Sequence, residues 1–297
     1  MSAAAMPNFI IFGAMKAGST SLCNYLVQHP DVYISPKKEP NYFLPADSAE
    51  TTQPGRITTL EDYQHFFQRS PTKVQAEKAI GEASVSYLCN EQLPRLIYQA
   101  IPDVKLIAIL RDPVERAYSH FLFLKRKGEE SAESFAAALE ADQGHAQPFG
   151  YFRKGLYGQS VKNYLTQFES NQIRIYLFDD FKQDPLALTQ NIFDFLGVDP
   201  HFQPNTSARD AASGIPRSRA LYQFIHQPHP LKNAIRPLIR PFFSAEKRRA
   251  LWTRAVAASL SKPKLEAEVQ QQLRRRYRDD ILYLQSLIDR DLSKWLP

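Results

Sequence analysis

Three stretches of the sequence combine residue types that handle anions or protons with spacings that could bring them together. The first, FIIFGAMKAGSTS (residues 9 to 21), runs from an apolar segment into a loop bounded by Gly13 and Gly18, then to the hydroxyls of Ser19 and Thr20. Backbone N–H groups of such a loop, leading into a helix N-terminus, form an anion cradle, because unpaired donors and the helix dipole both favour negative charge. The glycines are spaced as in a nucleotide phosphate loop, yet the ATP-binding form carries its lysine directly after the second glycine. Here the lysine is Lys16, inside the loop. It would sit close to a first phosphate and to whatever is attached to it. The plain alternative is a strand-to-helix turn with a solvated lysine.

The second stretch is VKLIAILRDPVERAYSHF, residues 104 to 121. Asp112 is a helix N-cap residue, Pro113 takes the favoured first helical position, and Glu115 would close a capping box. Arg111 then stands at the carboxyl end of a buried strand, where open α/β sheets bind ligands. Ser119 lies seven residues past the cap, two turns along the same helix face and ~10 Å up it. An arginine fork and a serine hydroxyl there would suit a second phosphate, distinct from the one at the first loop. An ion pair of Arg111 with a neighbouring carboxylate, and a helix serine facing a core carbonyl, is the other reading. The third stretch is KKEPNYF, residues 37 to 43, in which Glu39 lies between Pro36 and Pro40. Read alone, KKE is a solvated charge cluster; between two prolines in an irregular loop, Glu39 cannot be absorbed into a regular helix surface.

These residues need a scaffold, and the sequence predicts an α/β one. Asn8 to Phe12, Val104 to Leu110 and Ile173 to Phe178 read as buried parallel strands, with shorter pieces at Val32 to Ser35 and Ala79 to Glu82. Ser19 to Gln28, Pro113 to Lys127, Gly158 to Glu169 and Leu186 to Leu196 carry helical spacing. The alternation predicts a three-layer α/β domain with a central parallel sheet flanked by helices. Residues 36 to 60 hold four prolines and little periodicity, which predicts a long loop of functional kind. After Thr206 the chain turns helical and basic. Leu265, Val269, Leu273, Tyr277, Ile281, Leu284, Ile288 and Leu292 trace one apolar face of a closing amphipathic helix. The organisation expected is a single domain over 1–297, with an α/β nucleotide-binding core at 1–206 and a basic helical extension at 207–297.

Composition narrows the function classes. The 297 residues are 43% hydrophobic and 12% aromatic, enough for a large core and unlike a disordered chain. The formal net charge of +6 suits anionic ligands without singling out nucleic acid, and no nucleic-acid partner is expected. No apolar run approaches a membrane span, and MSAAAMPNF lacks the features of a signal peptide, so a cytoplasmic protein is expected. Cys23 and Cys89 are too few for a disulfide framework and lack metal-ligand spacing. Cys23 reads as a buried, reduced thiol, and His29 and His120 as packed or solvent-facing histidines.

Together, the stretches resemble the sulfotransferases that use 3′-phosphoadenosine 5′-phosphosulfate, particularly their heparan-sulfate-type and bacterial branch. FGAMKAGSTSL looks like the family's 5′-phosphosulfate loop and LRDPVERAYSHF like its 3′-phosphate motif; KKEPNYF resembles the segment that carries the catalytic acid. GEASVSYL, FDDFKQDPLALTQNIFDFLGV and the basic GIPRSR resemble further family segments. The resemblance implies a P-loop-like fold, a metal-independent reaction and roles for individual residues. Lys16 would contact the bridging oxygen of the phosphosulfate, with Ala17, Gly18, Ser19 and Thr20 around the 5′-phosphate. Arg111 and Ser119 would hold the 3′-phosphate, Arg217, Ser218 and Arg219 would cover it, and Glu39 would be the general base. Much of that branch has a second catalytic lysine after the glutamate of the GE signature, where this sequence has Ala83. Either Lys16 does all the cationic work or another residue, such as Lys38, substitutes.

Two other readings remain at this point. A kinase on a related fold would need an acidic metal ligand, for which Asp179 and Asp180 are the candidates. A catalytically dead module binding nucleotides or polyanions would keep the cradle without the chemistry. The acceptor is open among small-molecule, lipid and carbohydrate hydroxyls or amines. The segment from Arg217 to Arg254 holds nine basic residues against one acid, Glu246. It reads equally as a solvated face or as an acceptor or membrane-surface contact through 228–254, with Lys232, Arg236 and Arg240 at its centre.

Overall fold

In the computed structural model of the chain, residues 6–45, 57–68, 77–142, 149–207, 214–216, 260–261 and 263–297 are described. Five short runs form one parallel sheet: β1 (Phe9–Gly13), β2 (Val32–Ile34), β3 (Ala79–Ala83), β4 (Lys105–Leu110) and β5 (Ile173–Leu177), in the order β2-β3-β1-β4-β5. Each predicted strand is present, with ends shifted by a residue or so. β1 is buried along its whole length and β4 at all but its first residue, the reason both are continuous apolar runs and not alternations. Phe9 lies opposite Gly81 on one side and Lys105 on the other. A side chain at 81 would sit 2.3 Å from the Phe9 ring, so β3 needs glycine where that ring crosses it.

Helices flank the sheet: α1 (Ser19–Leu26), α2 (Leu60–His65), α3 (Leu93–Ala100), α4 (Pro113–Lys127), α5 (Phe135–Ala141), α6 (Tyr157–Gln167), α7 (Phe178–Gln183), α8 (Pro185–Leu196) and α9 (Ala267–Ile288). α1 packs on α8, while α3 and α9 pack on α6. The predicted helices appear, α4 with the bounds expected of it. α2, α3, α5 and α7 are additional; none exceeds eight residues, too short for periodicity to declare them. α2 interrupts the end of the predicted 36–60 loop, and Thr59 caps it by accepting the Asp62 N–H.

The closing helix buries Val269, Leu273, Tyr277, Ile281 and Leu284, spaced by three or four residues as predicted, and Leu292 follows beyond its end. It is fastened by polar contacts as well. Asp280 accepts the N–H groups of Tyr157 and Gly158 at the start of α6, and Tyr277 Oη donates to the Phe152 carbonyl at 2.9 Å. A two-stranded antiparallel ribbon pairs β6 (Ile215–Pro216) with β7 (Leu260–Ser261). Arg217, Ser218, Arg219 and the basic segment through Lys232, Arg236 and Arg240 lie outside the described residues. Among the described residues, no helix is long and apolar enough to cross a membrane.

Candidate active site

The loop after β1 reaches α1 through Gly18, whose φ of 96° is left-handed. A Cβ there would meet the Phe178 ring at 3.0 Å and the Phe181 ring at 3.3 Å, so both backbone and packing ask for glycine. α1 then starts at Ser19 with no side-chain cap and no acidic residue in its first turn. Nothing in the first turn competes with an anion for the positive end of the helix. Lys16, at φ 67°, turns its side chain inward, with Nζ 4.2 Å from the centre of the Phe123 ring. Its pKa is lowered from 10.5 to about 8, chiefly by burial and then by the charges of Arg126, Lys38 and Arg111, against a raising effect of Glu39. A lysine held this way is short of negative charge.

The loop after β2 crosses the end of β3 to face Lys16. Glu39 donates its N–H to the Ala83 carbonyl at 3.0 Å, and Lys38 Nζ donates to Thr20 Oγ1 at 2.5 Å while lying 3.8 Å from Glu39 Oε1. Ala83 is buried. Of the two alternatives left by alanine at 83, the structure therefore brings a second ammonium, that of Lys38, to the first turn of α1. Glu39, Lys38, Lys16 and Thr20 form one cluster.

On the other side of β1, Arg111 leaves the end of β4 and binds back to the loop. Its Nη1 donates to the Lys16 carbonyl at 3.2 Å, its Nη2 to Glu115 Oε2 at 3.0 Å, and its guanidinium stacks over Phe178 at 4.8 Å. Two expectations need amending here. The capping box at α4 is half formed: Asp112 accepts from the N–H groups of both Val114 and Glu115, but the Glu115 side chain pairs with Arg111. The ion pair anticipated as the plain alternative for Arg111 is thus present, although a guanidinium has five donors and two of them are engaged in these contacts. Ser119 is buried in α4.

Other candidates fall into structural roles. Asp112 is occupied by its cap and by Arg274 at 3.4 Å. His120 is buried against Tyr151, and its pKa is held well below the usual value, first by burial and then by Arg116 and lysines. His29 bridges Asp199 and Asp31 backbone groups, as a packed histidine would. Burial pushes the Cys23 thiol up to about 12, which leaves it unreactive. Asp179 pairs with Lys182 and Asp180 with Arg290. Among the described residues, no three His, Cys, Asp or Glu side chains are grouped to hold a metal.

Sequence reasoning gave no role to two groups. Phe123 and Arg126, on α4, surround the Lys16 ammonium; helical spacing alone does not say that this face meets the loop. Glu82 is fully buried in β3 with three hydroxyl partners. Its signal was available: an acid inside an apolar strand, two residues before a serine.

Comparison with known proteins bears on the family. The profile of the Sulfotransferase family matches residues 7–204. Among curated proteins, the chain is 27% identical over 206 residues to bifunctional heparan sulfate N-deacetylase/N-sulfotransferase 4 of Mus musculus, covering 66% of this chain and 23% of that protein. It is also 27% identical over 257 residues to heparan sulfate glucosamine 3-O-sulfotransferase 6 of Mus musculus, covering 80% and 71%. The chain spans about a quarter of the length of the bifunctional relatives, 23%. The crystal structure of a sulfotransferase from Alicyclobacillus acidocaldarius superposes with a TM-score of 0.72 at 30% identity, covering 98% of this chain and 99% of that one. With the profile spanning the sheet, the Lys16 loop and the Arg111 turn together, the chain belongs to the sulfotransferase family.

Proposed function

We propose that the chain transfers the sulfonate of 3′-phosphoadenosine 5′-phosphosulfate to an acceptor hydroxyl or amine by in-line displacement. The observation that carries this reading is the convergence of an uncapped helix N-terminus, a half-buried lysine and a partly exposed carboxylate at the carboxyl edge of β1. The N–H groups around Ala17, Gly18, Ser19 and Thr20 suit a 5′-phosphate, which fits an electropositive turn with no acid of its own. Arg111 and Ser119 suit the 3′-phosphate, and Arg217, Ser218 and Arg219 would cover it.

When bound, the donor supplies an electrophilic sulfur and a phosphate leaving group. Glu39 takes the proton from the acceptor as its oxygen or nitrogen bonds to sulfur. Lys16 faces the bridging oxygen, where negative charge grows as the sulfur–oxygen bond breaks, and Lys38 adds a second positive charge beside Glu39 and Thr20. Chemistry of this kind is mainly positioning and charge stabilisation. The ammonium groups supply that charge without a metal. The names of the relatives favour a carbohydrate acceptor, and the protein is assigned to the cytoplasm.

The test is a screen of purified protein with this donor against carbohydrate, lipid and small-molecule acceptors, in chelator, read as a mass gain of one sulfonate. Transfer that proceeds only with adenosine triphosphate and magnesium would favour the kinase reading. Tight donor binding with no transfer to any acceptor would favour the binding module.

A further inference from the structure

The buried carboxylate of Glu82 has no part in the mechanism above, yet three hydroxyls are spent on it. Tyr63 Oη donates to its Oε1 at 2.9 Å, Tyr87 Oη to the same atom at 3.1 Å, and Ser84 Oγ to Oε2 at 2.5 Å. A hydroxyl that donates to a carboxylate has its lone pairs left to accept. Two of the three are used in this way by the loop of Glu39. The Asn41 N–H donates to Ser84 Oγ at 3.1 Å and the Phe43 N–H to Tyr87 Oη at 3.2 Å. With the Glu39 N–H on the Ala83 carbonyl, the loop is tied at residues 39, 41 and 43. The ties matter because Glu39 and Asn41 both hold left-handed backbone, at φ 56° and 54°; asparagine tolerates it, but a glutamate does not adopt it by preference.

We propose that Glu82 is a positioning residue for sulfonate transfer: its carboxylate orients the Ser84 and Tyr87 hydroxyls as acceptors, and these hold the loop that presents Glu39 to the acceptor. The proposal rests on the reading of Glu39 as the base.

Protonation changes the network. The groups facing Glu82 are Tyr63 from α2, Tyr87 from the turn after β3, Glu39 from the loop and Cys23 from α1. Its pKa is raised to about 7, chiefly by burial, with the three hydroxyl bonds opposing the rise and the Glu39 charge adding to it. Below that pH the carboxyl becomes a donor itself, so one hydroxyl must turn to accept from it and is no longer oriented by a carboxylate. The kcat of the natural protein should therefore fall as pH drops through about 7.

A double-mutant cycle tests the idea in the full chain. Ser84→Ala should lower kcat by about 10-fold, because small misplacements of a reacting group are costly, with the affinity for adenosine 3′,5′-bisphosphate unchanged. In a Glu39→Gln background, the same change should have no further effect, since the residue it positions is already disabled. An equal loss in both backgrounds overturns the positioning role while leaving the base in place. If Glu39→Gln alone keeps near-normal turnover, the base assignment fails and the positioning role with it. Folded Glu82→Gln should lose the fall in kcat near pH 7, and persistence of that fall overturns the proposal. Tyr87→Phe keeps the ring and should weaken kcat without donor binding; it provides a second reading where Glu82→Gln does not fold, and an unchanged kcat counts against the network.

Discussion

Binding of the donor's nucleotide should draw a proton onto Lys16. In the free protein its pKa is about 8, lowered chiefly by burial and then by Arg126, Lys38 and Arg111. An anion at the loop offsets both causes, which would return the group toward its ordinary 10.5. At pH 8.5 the free lysine is about one-quarter protonated and the bound one almost fully so, an uptake of about 0.75 proton per site. At pH 7 the same arithmetic leaves about 0.1 proton. Affinity follows from the same numbers: between pH 7 and 9 the protonated fraction drops about tenfold, so binding should weaken by about 1.4 kcal/mol. Calorimetric titration with adenosine 3′,5′-bisphosphate in two buffers of different ionisation enthalpy measures the uptake directly. At pH 8.5 the phosphates of the ligand are already ionised and contribute little. Lys16→Arg keeps the charge but does not titrate, so its uptake should vanish while some affinity remains. The reasoning is refuted if the natural protein takes up no proton at pH 8.5, or if Lys16→Arg takes up as much.

Glu39→Gln should reduce kcat by ~10²-fold or more with the affinity for adenosine 3′,5′-bisphosphate nearly constant, since a base acts chiefly in the transition state; steady-state rates and calorimetry on the same sample separate the two. Arg111→Ala should bring the affinities for adenosine 3′,5′-bisphosphate and adenosine 5′-phosphate together, where the natural protein should prefer the first by roughly 1.5–3 kcal/mol, the contribution of a charge-assisted hydrogen bond. An unchanged preference would remove Arg111 from the 3′-phosphate site. Gly18→Ala imposes left-handed backbone on a residue with a Cβ and pushes it against Phe178, so melting curves should show a loss of roughly 1–2 kcal/mol together with weaker nucleotide binding. Natural stability and affinity in this variant would mean that the loop adjusts freely.

Much of this arrangement was legible in the residues, and the exceptions have physical causes. β1 and β4 declared themselves because strands buried on both faces are unbroken apolar runs. α4 declared itself through Asp112 and Pro113 at its start and its helical spacing to Lys127. Local signals of this kind sit within a few residues of what they specify. The Glu115 side chain went elsewhere because Arg111, one turn away, offers a full charge where the cap offers one N–H. Lys38 beside Thr20 and Ser84 beneath Asn41 join segments 18 and 43 residues apart, and no spacing rule spans a crossover connection. The short helices α2 and α7 were invisible for a third reason: six residues hold less than two turns of pattern.

Strand order bears on how such a protein can diverge. Across the sheet, the ends of β3, β1 and β4 carry in turn the anchorage of the Glu39 loop, the Lys16 loop and Arg111. On the proposed assignment, acceptor recognition lies toward the β2 edge and nucleotide recognition toward β4, and the two halves share little beyond the segment after β1. Descendants of one ancestor could therefore exchange acceptors by redrawing the chain after β2 and β3, while the nucleotide half is inherited intact. A substitution in the shared segment has no such freedom, because it alters both partners of the reaction at once.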